Sequence, residues 1–134
     1  GDDDRETLIL HRGEYSFILM NLYPYNNGHL MFAPYIHKSD PLNIPTEAKS
    51  EIMGLADSSM EILKSALKAE GFNFGANIGK AGGAGIADHL HYHLVPRWSG
   101  DTNFMPVLGH TKIVMEGLSE TYDGLKPAFD KIDA

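Results

Sequence analysis

Short apolar runs separated by glycine- and proline-bearing breaks occupy most of this chain, and one long stretch repeats its apolar positions at helical spacing. Residues 7–10 and 16–20 are two such runs, split by Gly13-Glu14, and they predict a hairpin. Pro24-Tyr25-Asn26-Asn27-Gly28 has the composition of a turn. A strand over residues 29–33 follows, closed by Pro34, and residues 39–43 form a loop. Ile52, Leu55, Ala56, Leu63, Ala66 and Leu67 then predict a helix over residues 46–70. Pro45 or Thr46 suits its first turn, Glu47 its positive end, and Gly71 its stop. Residues 72–78 predict a strand, the glycine-rich residues 79–85 a flexible loop, and residues 89–97 another strand. A short terminal helix over residues 118–132 carries Pro127 as its kink or start. No internal repeat or low-complexity segment interrupts this order. Strands, one long helix, more strands and a helical tail predict an α+β layer with the helix on an antiparallel sheet.

Composition narrows the function. The 134 residues predict a single domain over residues 1–134 that can bury its own core. A formal net charge of −7, with no basic run, argues against a nucleic-acid partner. The longest nearly uncharged stretch, residues 30–36, falls far short of the ~20 apolar residues that span a bilayer. The start, Gly1-Asp2-Asp3-Asp4-Arg5-Glu6, lacks the apolar centre of a signal peptide, so no membrane role and a cytoplasmic home are expected. The absence of cysteine removes thiol catalysis and thiolate metal sites.

The chemistry concentrates in Asp88-His89-Leu90-His91-Tyr92-His93-Leu94-Val95-Pro96. On a strand, His89, His91 and His93 share one face along ~13 Å, while Leu90, Tyr92 and Leu94 face a core. Three imidazoles so close must be mostly neutral, or neutralised by a metal or an anion. Three readings stand open. The imidazoles ligate a metal, although alternate residues about 6.6 Å apart converge poorly on one ion. They form an anion site in which a neutral imidazole attacks phosphorus. Or they are a solvent-facing polar stripe. The preceding Asn77-Ile78-Gly79-Lys80-Ala81-Gly82-Gly83-Ala84-Gly85-Ile86 lets backbone approach a ligand closely and favours phosphate chemistry.

His89-Leu90-His91-Tyr92-His93-Leu94-Val95 resembles the signature of the histidine triad (HIT) family, His-φ-His-φ-His-φ-φ with φ hydrophobic. The likeness runs from about Arg5 to Trp98 and includes Asn21, followed eight positions on by His29 in Gly28-His29-Leu30-Met31-Phe32-Ala33-Pro34. Pro96-Arg97-Trp98-Ser99-Gly100-Asp101-Thr102-Asn103-Phe104 resembles the branch of diadenosine tetraphosphate phosphorylases and hydrolases. The resemblance implies an antiparallel sheet of about five strands crossed by one long helix, paired into a homodimer. It implies an adenine nucleotide substrate and cleavage through a nucleotidyl-histidine. His91 would attack the α-phosphorus, and water or inorganic phosphate would release the nucleotide. His93 would hold phosphate oxygens, His89 would sit near the leaving group or orient its neighbours, and His29 would buttress the triad. The carbonyl after His91 would fix its tautomer. Asn21 matches the position at the ribose hydroxyls, with Leu22 next to the base. Asn77 and the backbone of Gly83, Ala84, Gly85 and Ile86 match the phosphate-binding segment.

Departures sharpen this picture. The commoner branches carry Gln and Ser or Thr where this chain has Ala84, Gly85 and Ile86, which favours the phosphorylase-like branch. Family members often carry an N-terminal Cys-x-x-Cys that binds zinc with histidines matching His37 and His89; the sequence starts too late to contain it, and in a fragment His37 and His89 would be the leftover ligands of that site. The nucleotidyl-transfer reading requires no cofactor or metal on the protein, and magnesium can accompany the substrate. His37 reads as a loop residue or a zinc remnant, His11 and His110 as surface residues, Asp88 as a turn residue and Tyr92 as core. Trp98 stacks on a base, packs at the strand end or meets a second subunit. Arg97 and Lys80 hold distal phosphates or face solvent. The rival functions are a nucleotide-binding sensor with little turnover and a zinc protein.

Overall fold

The computed structural model describes residues 2–22, 27–84, 89–100 and 111–132. Helix α1 (Asp2–Thr7) leads into strand β1 (Ile9–Arg12), and β2 (Ser16–Met20) returns beside it. Strand β3 (Leu30–Pro34), helix α2 (Thr46–Leu67), strands β4 (Gly71–Ala76) and β5 (Tyr92–Arg97), and helix α3 (Thr111–Phe129) follow. The five strands form one sheet in the order β1-β2-β3-β5-β4, every pair antiparallel. Among the described residues, no helix is long and apolar enough to cross a membrane.

The hairpin stands where the apolar runs put it, but Thr7 belongs to α1 rather than to a strand. Acidic residues suit the first turn of a helix, and Leu8, with φ 64°, swings the chain from α1 into β1. Arg12 then clamps Asp4 at 2.7 Å. The tip of the hairpin is fastened from outside, because the Glu51 carboxylate on α2 accepts the N–H groups of Glu14 and Tyr15, both at 3.1 Å. A side chain on Gly13 would collide with that carboxylate.

Helix α2 starts at Thr46 as expected but stops at Leu67, not Glu70. Lys68 adopts the left-handed conformation, φ 58° and ψ 35°, and its N–H closes on the Leu63 carbonyl. This cap does the work expected of Gly71, which opens β4 instead. Ala48, Ile52, Leu55, Ala56 and Leu63 make the buried face, whereas Ala66 is exposed. Ile52, Leu55, Ala56 and Leu63 pack on Leu10, Ile18, Met20, Leu30, Phe32 and Leu94 of the sheet, and Ala48 packs with Ile44 and Leu90. Phe32 is fully buried, and truncating such a side chain to Ala costs about 3–5 kcal/mol.

The terminal helix begins at Thr111, upstream of the expected Leu118, and Pro127 lies within its last turns. Leu118, Tyr122, Leu125 and Phe129 bury its inner stripe. The Tyr122 hydroxyl donates to the Ile9 carbonyl at 2.8 Å and the Lys126 ammonium to the Leu10 carbonyl at 3.0 Å. His11 is not on the surface: it is only 9% exposed, and its Nε2 has no hydrogen-bond partner among the described residues. The other expected surface histidine, His110, and the expected turn residue Asp88 lie outside the described residues.

Strand β5 begins at Tyr92 rather than His89. Tyr92 is the last residue in register with both β3 (Phe32) and β4 (Ala76). Beyond it Pro34 has no N–H for the ladder, and the Leu90 N–H donates instead to the Lys38 carbonyl at 2.7 Å. The alternation argument therefore holds for His93, while His89 and His91 stand in the extended segment before the strand. Leu90 and Leu94 are buried and Tyr92 packs against the core, as the alternation requires.

Candidate active site

The three triad histidines and His29 meet across the β3–β5 end of the sheet. His29, at the entrance to β3, is 1% exposed. Its Nε2 lies 2.8 Å from Nδ1 of His93. The Asn21 side-chain amide approaches the His29 ring, 3.3 Å from Nδ1 and 3.4 Å from Nε2. With the amide N–H donating to Nδ1, the His29 proton sits on Nε2 and is donated to His93 Nδ1. The His93 proton then sits on Nε2. Burial, followed by the charges of His93 and His91, pushes the His29 pKa down to about 4. Burial, then the charge of His91, also lowers that of His93. Both rings are neutral at pH 7.

His91 stands beside them, its ring centroid 4.8 Å from that of His93. Its Nδ1 lies 2.9 Å from the His89 carbonyl, so Nδ1–H donates there and the Nε2 lone pair is left bare. The tautomer is thus set by the carbonyl two residues before His91, not by the one after it as expected. His89 turns the other way. Its Nε2–H donates to the Pro34 carbonyl at 2.6 Å, and its Nδ1 lies 3.2 Å from Nδ1 of His37.

A cleft with about 400 Å³ of empty space opens on the far side of His91, lined by Ser39, Asn77, Gly83, Ala84, His89, Leu90 and His91. The structure therefore divides the sequence-predicted residues into two groups with His91 between them. Asn21, His29 and His93 form one, with the 40%-exposed Leu22 beside Asn21. Asn77, Gly83, Ala84 and His89 form the other. Gly85 and Ile86 lie outside the described residues. In the loop, Gly79 and Gly83 take positive φ, 73° and 95°, a conformation that favours glycine. The N–H groups of Gly82, Gly83 and Ala84 donate to Gly79 and Lys80 carbonyls within the loop. Across the ladder from His93 stands Gly75, with open space where a Cβ would be.

Other expectations resolve locally. The Trp98 indole N–H donates to the Leu67 carbonyl at 3.1 Å and the ring packs against the core, the strand-end role. The Arg97 guanidinium donates to Asn73 at 2.7 Å, and Lys80 is exposed. His37 and His89 supply two imidazoles, short of the three or four donors a zinc site needs. Among the described residues, no group of three His, Cys, Asp or Glu is placed to hold a metal ion. Ser39 went unassigned in the sequence. Its only local signal was a loop beginning there, and its place in the cleft depends on the long-range Leu90–Lys38 bond.

Comparison with known proteins bears on the family and the fold. The chain is 38% identical over 118 residues to an AP-4-A phosphorylase of Mycobacterium tuberculosis, covering 88% of this chain. It spans 60% of the length of that relative. An adenosine 5'-monophosphoramidase of Saccharomyces cerevisiae is 30% identical over 84 residues, 63% of this chain and 50% of that protein. A solved diadenosine triphosphate hydrolase of Plasmodium falciparum shares the fold with a TM-score of 0.76 and 20% identity, over 94% of this chain and 78% of that one. The family model described as HIT domain matches residues 3–100, which takes in every histidine of the cluster just described, and the chain belongs to that histidine triad family.

Proposed function

We propose that this chain cleaves dinucleoside polyphosphates of the diadenosine tetraphosphate type at the α-phosphorus through a nucleotidyl-His91 intermediate. The observation that carries the reading is the 2.9 Å contact between His91 Nδ1 and the His89 carbonyl, which leaves Nε2 as a bare lone pair on a residue that lines a cleft. In the first step Nε2 forms a bond to the α-phosphorus, and the bond from that phosphorus to its bridging oxygen breaks. The nucleoside polyphosphate departs with the electron pair. Nε2–H of His93, oriented by His29, is a donor for a non-bridging oxygen as negative charge builds there. In the second step an oxygen of inorganic phosphate or of water bonds to phosphorus, and the N–P pair returns to Nε2.

The likeness to the AP-4-A phosphorylase supports inorganic phosphate as the acceptor. No protein-bound metal takes part in this scheme, and magnesium accompanies the polyphosphate. The reading includes a homodimer, for which the free edge of β4 among the described residues offers a place. Product analysis on diadenosine tetraphosphate, with and without inorganic phosphate, tests it. ADP plus ATP is expected with phosphate present. AMP plus ATP in its place makes the chain a hydrolase, and intact substrate under both conditions rejects the reading.

A further inference from the structure

The connection between β3 and α2 is stitched to the triad at three points. The Pro34 carbonyl accepts from His89 Nε2, the His37 ring meets His89, and the Lys38 carbonyl accepts the Leu90 N–H. On the other side of Ser39, the Asp40 carboxylate accepts the Leu42 N–H at 2.9 Å and its carbonyl accepts Asn43 N–H at 2.9 Å, capping the turn Pro41–Asn43. Ser39 is thus held between two anchored neighbours. It lines the His91 cleft, yet it makes no hydrogen bond to any described residue.

The Ser39 hydroxyl and the Asn77 amide are the side-chain donors, among the described residues, that bear on this cleft besides the imidazoles. Gly83 and Ala84 bring no polar side chain to it, and their N–H groups are engaged within the loop. The nucleoside-side residues Asn21, His29 and His93 lie on the opposite side of His91 and do not line this cleft. What extends from the phosphorus toward Ser39 is therefore the remainder of the phosphate chain. We infer that Ser39 is a specificity-determining residue whose hydroxyl donates a hydrogen bond to a phosphoryl oxygen beyond the α-phosphorus, favouring ligands that carry a phosphate chain. The inference rests on the reading of His91 as the phosphorus-directed group.

Calorimetric titration of the full chain and of Ser39→Ala with AMP and with ATP tests it, because AMP ends at the α-phosphate and ATP carries the chain. Losing one hydrogen bond to a charged oxygen should weaken ATP by roughly tenfold or more. AMP affinity should stay within about twofold, Ser39→Thr should restore most of the loss, and the thermal midpoint should not move. The value of kcat/KM on diadenosine tetraphosphate should fall by the same factor as ATP affinity. Unchanged ATP affinity in Ser39→Ala, or equal losses for AMP and ATP, overturns the role of Ser39 alone. A wild-type chain that binds neither nucleotide overturns the parent reading as well.

Discussion

Two histidine pairs flank His91, and they are nearly the same in contact and opposite in consequence. The inner pair, His29 and His93, has ring centroids 5.0 Å apart and a nitrogen–nitrogen distance of 2.8 Å. The outer pair, His37 and His89, has centroids 4.8 Å apart and nitrogens at 3.2 Å. Burial separates them. His29 is sealed under the sheet, so its charged form is expelled and its pKa falls to about 4. A neutral ring in a fixed tautomer points its protons in one direction, from Asn21 through His29 to His93. His37 is exposed, and its contact with His89 serves to hold the β3–α2 connection against the triad. An imidazole pair becomes part of the chemistry where water cannot compete for its protons, and a latch where it can.

Five substitutions, at four positions, sharpen or break that comparison. Replacing His91 with Ala removes the group both pairs frame. Turnover should drop by roughly a thousandfold or more while AMP still binds, measured by steady-state kinetics and calorimetry. Full turnover in this variant ends the proposal of a covalent intermediate. The inner pair should dominate acid stability. Because the folded-state pKa of His29 is depressed, the unfolded chain takes up a proton between pH of about 6.5 and about 4 that the folded chain refuses. The contribution is complete above the unfolded value and declines on acidification through this window. It then levels off below the folded value, a change on the order of 3 kcal/mol. Urea midpoints followed against pH should show this slope, and His29→Asn should flatten it. A slope that survives the substitution places the acid sensitivity elsewhere.

Smaller effects follow outward. Asn21→Ala frees the His29 tautomer, and kcat should fall several-fold with little change in stability, as expected for one weak hydrogen bond of about 1 kcal/mol. Asn21→Asp keeps the size but offers only acceptors to His29, so it should not rescue the rate. His37→Ala, in the exposed pair, should alter stability by no more than about 0.5 kcal/mol. A loss as large as that of His29→Asn would erase the distinction between the two pairs.

Several of these features were readable before any coordinates. The hairpin, the long helix, the strand after it and the core positions Leu90 and Leu94 follow from local spacing. The helix stop was misplaced because a left-handed lysine cap leaves no signature comparable to glycine. Helix α1 escaped notice because its charged residues find their opposite charges at a distance, Arg12 on β1 for Asp4 and Asp123 on α3 for Arg5. His11 was misread because burial of β1 comes from the packing of distant elements onto it.

The order of residues along 89–93 determined that imidazoles and apolar side chains would part company, since that depends only on the period of extended backbone. It also marked which glycines stand near them. Which nitrogen of each ring keeps its proton, and whether a ring is neutral at all, was decided by tertiary structure. Those properties depend on the His89 carbonyl curling back on His91 and on Asn21 and His29 being carried beneath His93. Contacts across 64 positions, such as that between His29 and His93, are set by the pairing of β3 with β5 and the burial it brings.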